Sequence, residues 1–201
     1  IFISSLKANG EETNSGARFR YDDKHNTNDP YGISKAEAEN GLMNIAANSN
    51  LEIVIIRPPL VYGPGVKANF ESLLKISQKN LPLPLGAINN KRSFVALDNL
   101  VDLINICIDH PNAANKVFLV SDDSDISTSD LLILMSNSFN KKSLLLNINP
   151  KVLKFIGKIL GKQSIIDRLC DNFQVDIEYT KNTLNWKPPL SMFEGVKRCA
   201  K

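Results

Sequence analysis

Cysteine and histidine are scarce in this 201-residue chain, with three of the first and two of the second. Cys107, Cys170 and Cys199 are far apart and odd in number, so they make neither a zinc set nor a disulfide framework. They read as reduced thiols, as in a cytoplasmic protein. His25 and His110 have no metal-ligand companions at helical spacing, so no metal is expected and both are expected at the surface. No run of Lys and Arg occurs and the net charge is only +3, which argues against a nucleic-acid partner. No apolar stretch reaches the roughly 18 residues needed to span a bilayer. There is no G-x-S-x-G elbow, and "GPG" at 63–65 is a turn that does not open a phosphate-binding loop.

What is present is a core-forming composition. Hydrophobic residues make up 43%, and the length suits one domain or one and a half. The chain opens inside an apolar run, "IFISS", which reads as the end of a buried strand. A long polar loop follows, and loops of that length are often functional. Asn28 or Asp29 then caps a helix with Pro30 at its first position, and Ala36, Ala38, Leu42, Ile45 and Ala46 carry it to about Asn48. "LEIVIIRPP" is rich in β-branched residues and predicts a buried strand. Further on, "ANFESLLKISQKN" reads as a helix, "RSFVAL" as a strand, "DNLVDLINICIDH" as a helix capped by Asp98, and "KVFLVS" as a strand. "STSDLLILMSNSF", the stretch from Pro150 to Leu160, and a segment opened by Ser191 and Glu194 complete the helices. Strands alternating with helices predict an α/β fold around a parallel sheet.

The chemistry is concentrated in "DPYGISKAEAE". Tyr31 and Lys35, four apart, lie on one helix face. A free phenol has a pKa of about 10, and a nearby ammonium favours its phenolate form. Such a tyrosine can give or take a hydroxyl proton, which is what hydride chemistry at the carbon bearing that hydroxyl requires.

Four ordered pieces, "FISSLKANGE", "DPYGISKAEAE", "IIRPPLVYGPG" and "RSFVALDNLVDLI", resemble the extended short-chain dehydrogenase/reductase superfamily. The branch is that of the NAD-dependent epimerases and dehydratases of nucleotide sugars, among them the UDP-glucose/UDP-galactose 4-epimerases. The resemblance implies catalytic roles for Ser5, Tyr31 and Lys35: Ser5 on the reacting sugar oxygen, Tyr31 as acid/base, Lys35 on the nicotinamide ribose. Pro58 would lie beside the nicotinamide. Asn69 and Phe70 would approach the substrate's diphosphate, partly through backbone, and Arg92 would bind its phosphates. Arg168 is a second phosphate candidate. Arginine's planar fork suits such oxygens. Arg57 reads instead as a structural ion-pair partner.

Some positions depart from the pattern. Leu60 stands where galactose epimerases carry Asn, which removes one substrate contact. Leu6 and Lys7 stand where the 4,6-dehydratases need Asp and Glu, so 4,6-dehydration is not expected. Lys7 reads as a solvated lysine. The glycine-rich turn that holds a dinucleotide's pyrophosphate is missing, and so is the acidic residue for the adenosine ribose. The chain therefore reads as the C-terminal two-thirds of an enzyme, inactive by itself.

The expected architecture is the later part of a Rossmann-type sheet (residues 1–65 and 92–120) plus a smaller α+β substrate domain (66–91 and 121–201). The expected cofactor is NAD, with NADP as the alternative. The expected substrate is a UDP-sugar or another nucleotide-diphospho-sugar, and the complete enzyme is expected to be a homodimer. The alternatives are a 4-keto-sugar reductase, a hydroxysteroid dehydrogenase and a non-catalytic binding protein.

Overall fold

The computed structural model describes residues 1–65, 69–79 and 81–200. In chain order the elements are β1 (Phe2–Ile3), α1 (Pro30–Ala47), β2 (Val54–Arg57), β3 (Leu60–Tyr62), α2 (Asn69–Gln78), β4 (Phe94–Ala96), α3 (Leu97–Asp109) and β5 (Lys116–Leu119). The remainder is helical: α4 (Thr128–Ser138), α5 (Pro150–Ile159), α6 (Gln163–Cys170), α7 (Glu178–Leu184) and α8 (Met192–Cys199). A 3₁₀ turn, Leu6–Ala8, follows β1. Two packing units divide the chain.

The first unit comprises Ile1–Val61, Ser93–Ser124 and Phe173–Met192. Its sheet runs β1-β2-β5, parallel throughout, with Phe2 opposite Ile55 and Ile55 opposite Val117. Because β2 is central, all four of its residues are buried, and Ile55 and Ile56 lose all exposure. Burying each such side chain stabilises the fold by roughly 1.5–3 kcal/mol. β1 lies at the edge of the described sheet, pairs on one side, and leaves Ile1 51% and Ile3 36% exposed.

Residues 173–192 belong to this unit, where the sequence reading gave them to the second. The reason is packing. Phe173, Val175, Ile177, Leu184 and Trp186 join the core around Ile56, Phe118 and Leu119. The Thr180 hydroxyl donates to the Leu119 carbonyl (2.7 Å), and Trp186 Nε1 donates to Asp102 (2.8 Å). Asp98 does not cap α3: the helix starts at Leu97 and Ala96 holds the cap position without a side-chain bond.

The second unit comprises Tyr62–Arg92, Asp125–Asn172 and Phe193–Lys201. Among its described residues, helices are joined by single bridges, Leu83 with Leu145 and Arg92 with Ile126, rather than by the sheet an α+β domain would contain. Leu85, Ile88, Leu132 and Leu153 form its core. The buried Ser129 hydroxyl lies 2.5 Å from the Leu85 carbonyl and 2.8 Å from that of Ile88, which holds α4 to this loop.

α5 packs in an unusual way. It contributes Leu153 and Gly157 to the interior, and a Cβ on Gly157 would lie 2.7 Å from Ile166 of α6. Its remaining apolar residues, Val152, Phe155, Ile156, Ile159 and Leu160, are 44–68% exposed.

Candidate active site

The β1–β2 ladder continues past its strands. Ser4 N–H donates to the Ile56 carbonyl (2.8 Å) and Leu6 N–H to the Pro58 carbonyl (2.9 Å). This holds Ser5 and Pro58 at the same end of the sheet. Ser5 is half-buried, and its Oγ accepts from Lys7 N–H (3.3 Å), which caps the 3₁₀ turn.

α1 starts as its sequence directs. Asp29 is the N-cap, its Oδ1 accepting from Tyr31 N–H (3.4 Å), and Pro30 follows at the first position. The other oxygen of Asp29 pairs with Lys7 Nζ, so Lys7 is tied to the start of α1 rather than free in solvent. Gly32 makes the approach possible: a Cβ there would sit 2.6 Å from the Lys7 carbonyl and 2.4 Å from Thr27 Oγ1. Gly32→Ala should therefore destabilise the chain by about 1–3 kcal/mol through overpacking. Urea unfolding at equilibrium would measure it, and a neutral or stabilised variant would mean that α1 shifts freely.

The start of α1 brings Tyr31 and Lys35 to β1. Parallel pairing sends the Ser4 N–H to β2, so the Ile3 carbonyl faces the open edge. Lys35 Nζ donates to that carbonyl (3.0 Å) and lies 4.9 Å from the Phe2 ring centroid and 5.8 Å from that of Tyr31. Tyr31 is 52% exposed. An ammonium has three donors. Lys35 uses one among the described residues, so it retains capacity for vicinal hydroxyls beside a solvent-facing phenol.

Under these groups lies a buried polar cluster. Gly32, Ala36 and Glu39 are the buried residues of α1, spaced as one stripe. Glu39 is 2% exposed and Arg57, at the end of β2, is 4% exposed. Arg57 Nε donates to both carboxylate oxygens (3.0 and 3.1 Å) and NH2 donates to Oε2 (2.6 Å), a bidentate pair. Arg57 NH1 donates to Asn9 Oδ1 (3.1 Å), and the Ser4 hydroxyl donates to Glu39. His25 Nε2 lies 3.0 Å from Glu39 Oε2 and 2.8 Å from Arg57 NH2. One ring nitrogen serves one of these roles at a time. His25 is thus a half-buried member of the cluster, not the surface residue expected from its isolation. Burial raises the Glu39 pKa, but the Arg57 hydrogen bond and charge, with the Ser4 and His25 bonds, outweigh it and leave it below the usual carboxylate value. The ion-pair role expected of Arg57 is observed. Sequence reasoning missed its partner, Glu39; the signal available was its place on the Gly32–Ala36 stripe.

The two arginines expected to meet phosphate, Arg92 and Arg168, lie in the second unit. Arg92 is half-buried, its backbone paired both ways with Ile126 (3.0 Å each) and its NH1 donating to the Asp171 carbonyl (3.1 Å). Burial pushes its pKa down to about 10; Asp171 opposes this and the charge of Arg168 adds to it. The guanidinium therefore stays protonated at neutral pH with a second cation near it, Arg168 itself being exposed. Asn90, which the sequence did not single out, fixes this end of α6: its amide donates to the carbonyls of Leu169 (3.1 Å) and Asp171 (2.9 Å), and its oxygen accepts from Thr128 N–H (2.9 Å).

Phe70 is 1% exposed and stacks on Tyr62 at 4.9 Å between centroids, which leaves only its backbone for a ligand. Asn69 begins α2, but its side chain lies outside the described residues. No group of three or more His, Cys, Asp or Glu among the described residues could hold a metal ion. No described helix is long and apolar enough to cross a membrane.

A parallel α/β sheet with Tyr31 and Lys35 one helical turn apart beside a serine at the strand end defines a short-chain dehydrogenase-type protein. Residues 1–121 match the model of the NAD dependent epimerase/dehydratase family, and the chain belongs to that family. It is 52% identical over 201 residues to a UDP-glucose 4-epimerase of Vibrio cholerae, covering 100% of this chain and 61% of that protein. It is 25% identical over 216 residues to the N-acetyl-alpha-D-glucosaminyl-diphospho-ditrans,octacis-undecaprenol 4-epimerase of Escherichia coli O157:H7, covering 98% of this chain and 63% of that protein. Among solved structures, UDP-glucuronic acid 4-epimerase from Bacillus cereus in complex with NAD superposes with a TM-score of 0.77 at 19% identity, over 98% of this chain and 58% of that one. The chain thus spans about three-fifths of the length of these relatives.

Proposed function

We propose that the protein containing this chain is an NAD-dependent nucleotide-sugar 4-epimerase whose substrate is a UDP-hexose or UDP-N-acetylhexosamine. The observation that carries this reading is the Lys35 ammonium, anchored on the Ile3 carbonyl 5.8 Å from the ring of a half-exposed Tyr31. The identity to the Vibrio cholerae relative supports the substrate class.

In this reading Tyr31 Oη takes the proton of the sugar 4-hydroxyl and returns it after the 4-keto sugar has turned over. Ser5 Oγ hydrogen-bonds the same sugar oxygen. The remaining donors of Lys35 hold ribose hydroxyls. When bound, the nicotinamide supplies reversible hydride exchange at the sugar carbon. NAD is the cofactor of this reading, and NADP the alternative. Arg92 and Arg168 hold the diphosphate. The buried Glu39–Arg57 pair ties α1 to the end of β2.

The test is interconversion of UDP-glucose and UDP-galactose, and of their N-acetyl forms, by a protein joining this chain to the remaining part of the Vibrio cholerae relative. Turnover without added reductant is expected. Stoichiometric consumption of NAD(P)H with a 4-keto sugar would mark a reductase instead, and neither activity would leave a binding protein.

A second reading keeps the diphospho-sugar and places it on a polyprenol, as in the name of the Escherichia coli relative. The outward apolar stripe of α5 favours it. Presenting both substrate types to the same protein separates the two readings.

In the same protein, Arg92→Ala should weaken UDP-sugar binding by about 1.5–3 kcal/mol, the worth of a charge-assisted contact. Cofactor affinity should not change. Titration calorimetry showing equal losses for both ligands would make Arg92 a support of the α6 end instead.

A further inference from the structure

The outward face of α5 carries none of the residues assigned above to proton transfer, the ribose or the diphosphate. Val152, Phe155, Ile156, Ile159 and Leu160 recur at intervals of three and four, so they form one stripe along the helix. In a surface helix such a stripe normally faces the core. Here the core side is taken by Leu153 and Gly157, and the stripe faces solvent, with Phe155 65% and Ile159 68% exposed. Ile165, on α6, adds a further residue at 53% exposure.

The charges around the stripe are of one sign. Lys151 and Lys158 are exposed along one flank, and Lys162 is exposed in the turn between α5 and α6. Residues 150–171 contain five basic and two acidic residues. Both acids are engaged by one cation: Lys154 Nζ lies 2.5 Å from Asp171 Oδ1 and 3.6 Å from Asp167 Oδ1. Lys151, Lys158 and Lys162 are therefore left without acidic compensation from the hairpin.

An exposed apolar stripe with lysines at its border is the pattern of a helix that lies in a membrane interface. The apolar residues enter the acyl boundary while the lysines meet lipid phosphates. A second copy is a poorer occupant, because a two-fold contact sets the same lysines against each other. We propose that α5, with the first turn of α6, docks this protein peripherally on a bilayer containing anionic phospholipid. The proposal depends on neither substrate reading.

Flotation of the 201-residue chain with phosphatidylcholine vesicles, with and without phosphatidylglycerol, tests it. Wild-type chain should float with the anionic vesicles and be released by salt. Phe155→Glu with Ile159→Glu should lower the bound fraction by about tenfold. Lys151→Glu with Lys158→Glu should do the same and remove the salt dependence. Circular-dichroism melts should not move, since these side chains are exposed. Wild-type chain that stays unbound to both vesicle types, or floats equally with both, overturns the proposal. So does a dimer in sedimentation equilibrium that Ile159→Glu dissociates while vesicle binding is absent. The interconversion assay reads out separately, so loss of docking and failure of the epimerase reading are distinguishable.

Discussion

Tyr31→Phe should lower turnover of the completed enzyme by about two to four orders of magnitude, the usual contribution of a positioned general acid–base group. The substitution removes one oxygen and leaves the ring. The ring is what Lys35 faces at 5.8 Å, and the contacts that fix α1 here are backbone ones: Tyr31 N–H to Asp29, and the Ser34 hydroxyl to the Tyr31 carbonyl (2.8 Å). The phenol hydroxyl makes no hydrogen bond among the described residues, and the side chain is half exposed. Stability should therefore stay within about 0.5 kcal/mol of wild type. UDP-sugar affinity should change by less than about threefold, since the effect belongs to the transition state. Stopped assays for kcat and calorimetry for binding give the two numbers. A variant that keeps most of the wild-type kcat would remove Tyr31 from the chemistry.

The legible part of this molecule was what depends on local signals. The Asp29–Pro30 start of α1 is written in three residues, and the i, i+4 geometry of Tyr31 and Lys35 follows from it. The β-branched run of β2 announces a buried strand. What was not legible depends on long-range packing. α1 does not bury its largest apolar residues: Ile45 is 53% exposed, and the packed stripe is Gly32, Ala36 and Glu39. Hydropathy reads such a face poorly because its close contact needs small residues, and its buried charge is neutralised from another strand. α6 and α7 were missed for a related reason. They are eight and seven residues long, too short to be stable alone. α7 is held by the Thr180 bond to the Leu119 carbonyl and by Leu184 in the core. The buried ring of Phe70, stacked on Tyr62, was likewise not legible, because that contact is set by packing rather than by a local signal.

Glu39→Ala should cost about 3–5 kcal/mol of stability, because it leaves a buried guanidinium without its counter-ion. Arg57 is 4% exposed and gives Glu39 three of its hydrogen bonds, so water cannot replace the carboxylate without opening the α1–β2 contact. Domains of this kind are stable by only about 5–15 kcal/mol, so the loss should be plain in urea unfolding. Replacing both partners by hydrophobic residues, Glu39→Leu with Arg57→Met, should recover most of it, since a well-packed apolar pair removes the desolvation cost as well as the attraction. Acid gives an independent reading. The folded carboxyl is held below its ordinary value of 4.5, so the unfolded state binds the proton more tightly. The stabilising contribution is thus complete above pH 4.5 and is lost as the pH falls below it through the folded value. Wild-type chain should lose stability more steeply below pH 4.5 than Glu39→Gln, which has no proton to take up. Parallel acid profiles for the two, or a cost under 1 kcal/mol for Glu39→Ala, would show that Ser4, Asn9 and His25 hold these backbone pieces without the ion pair.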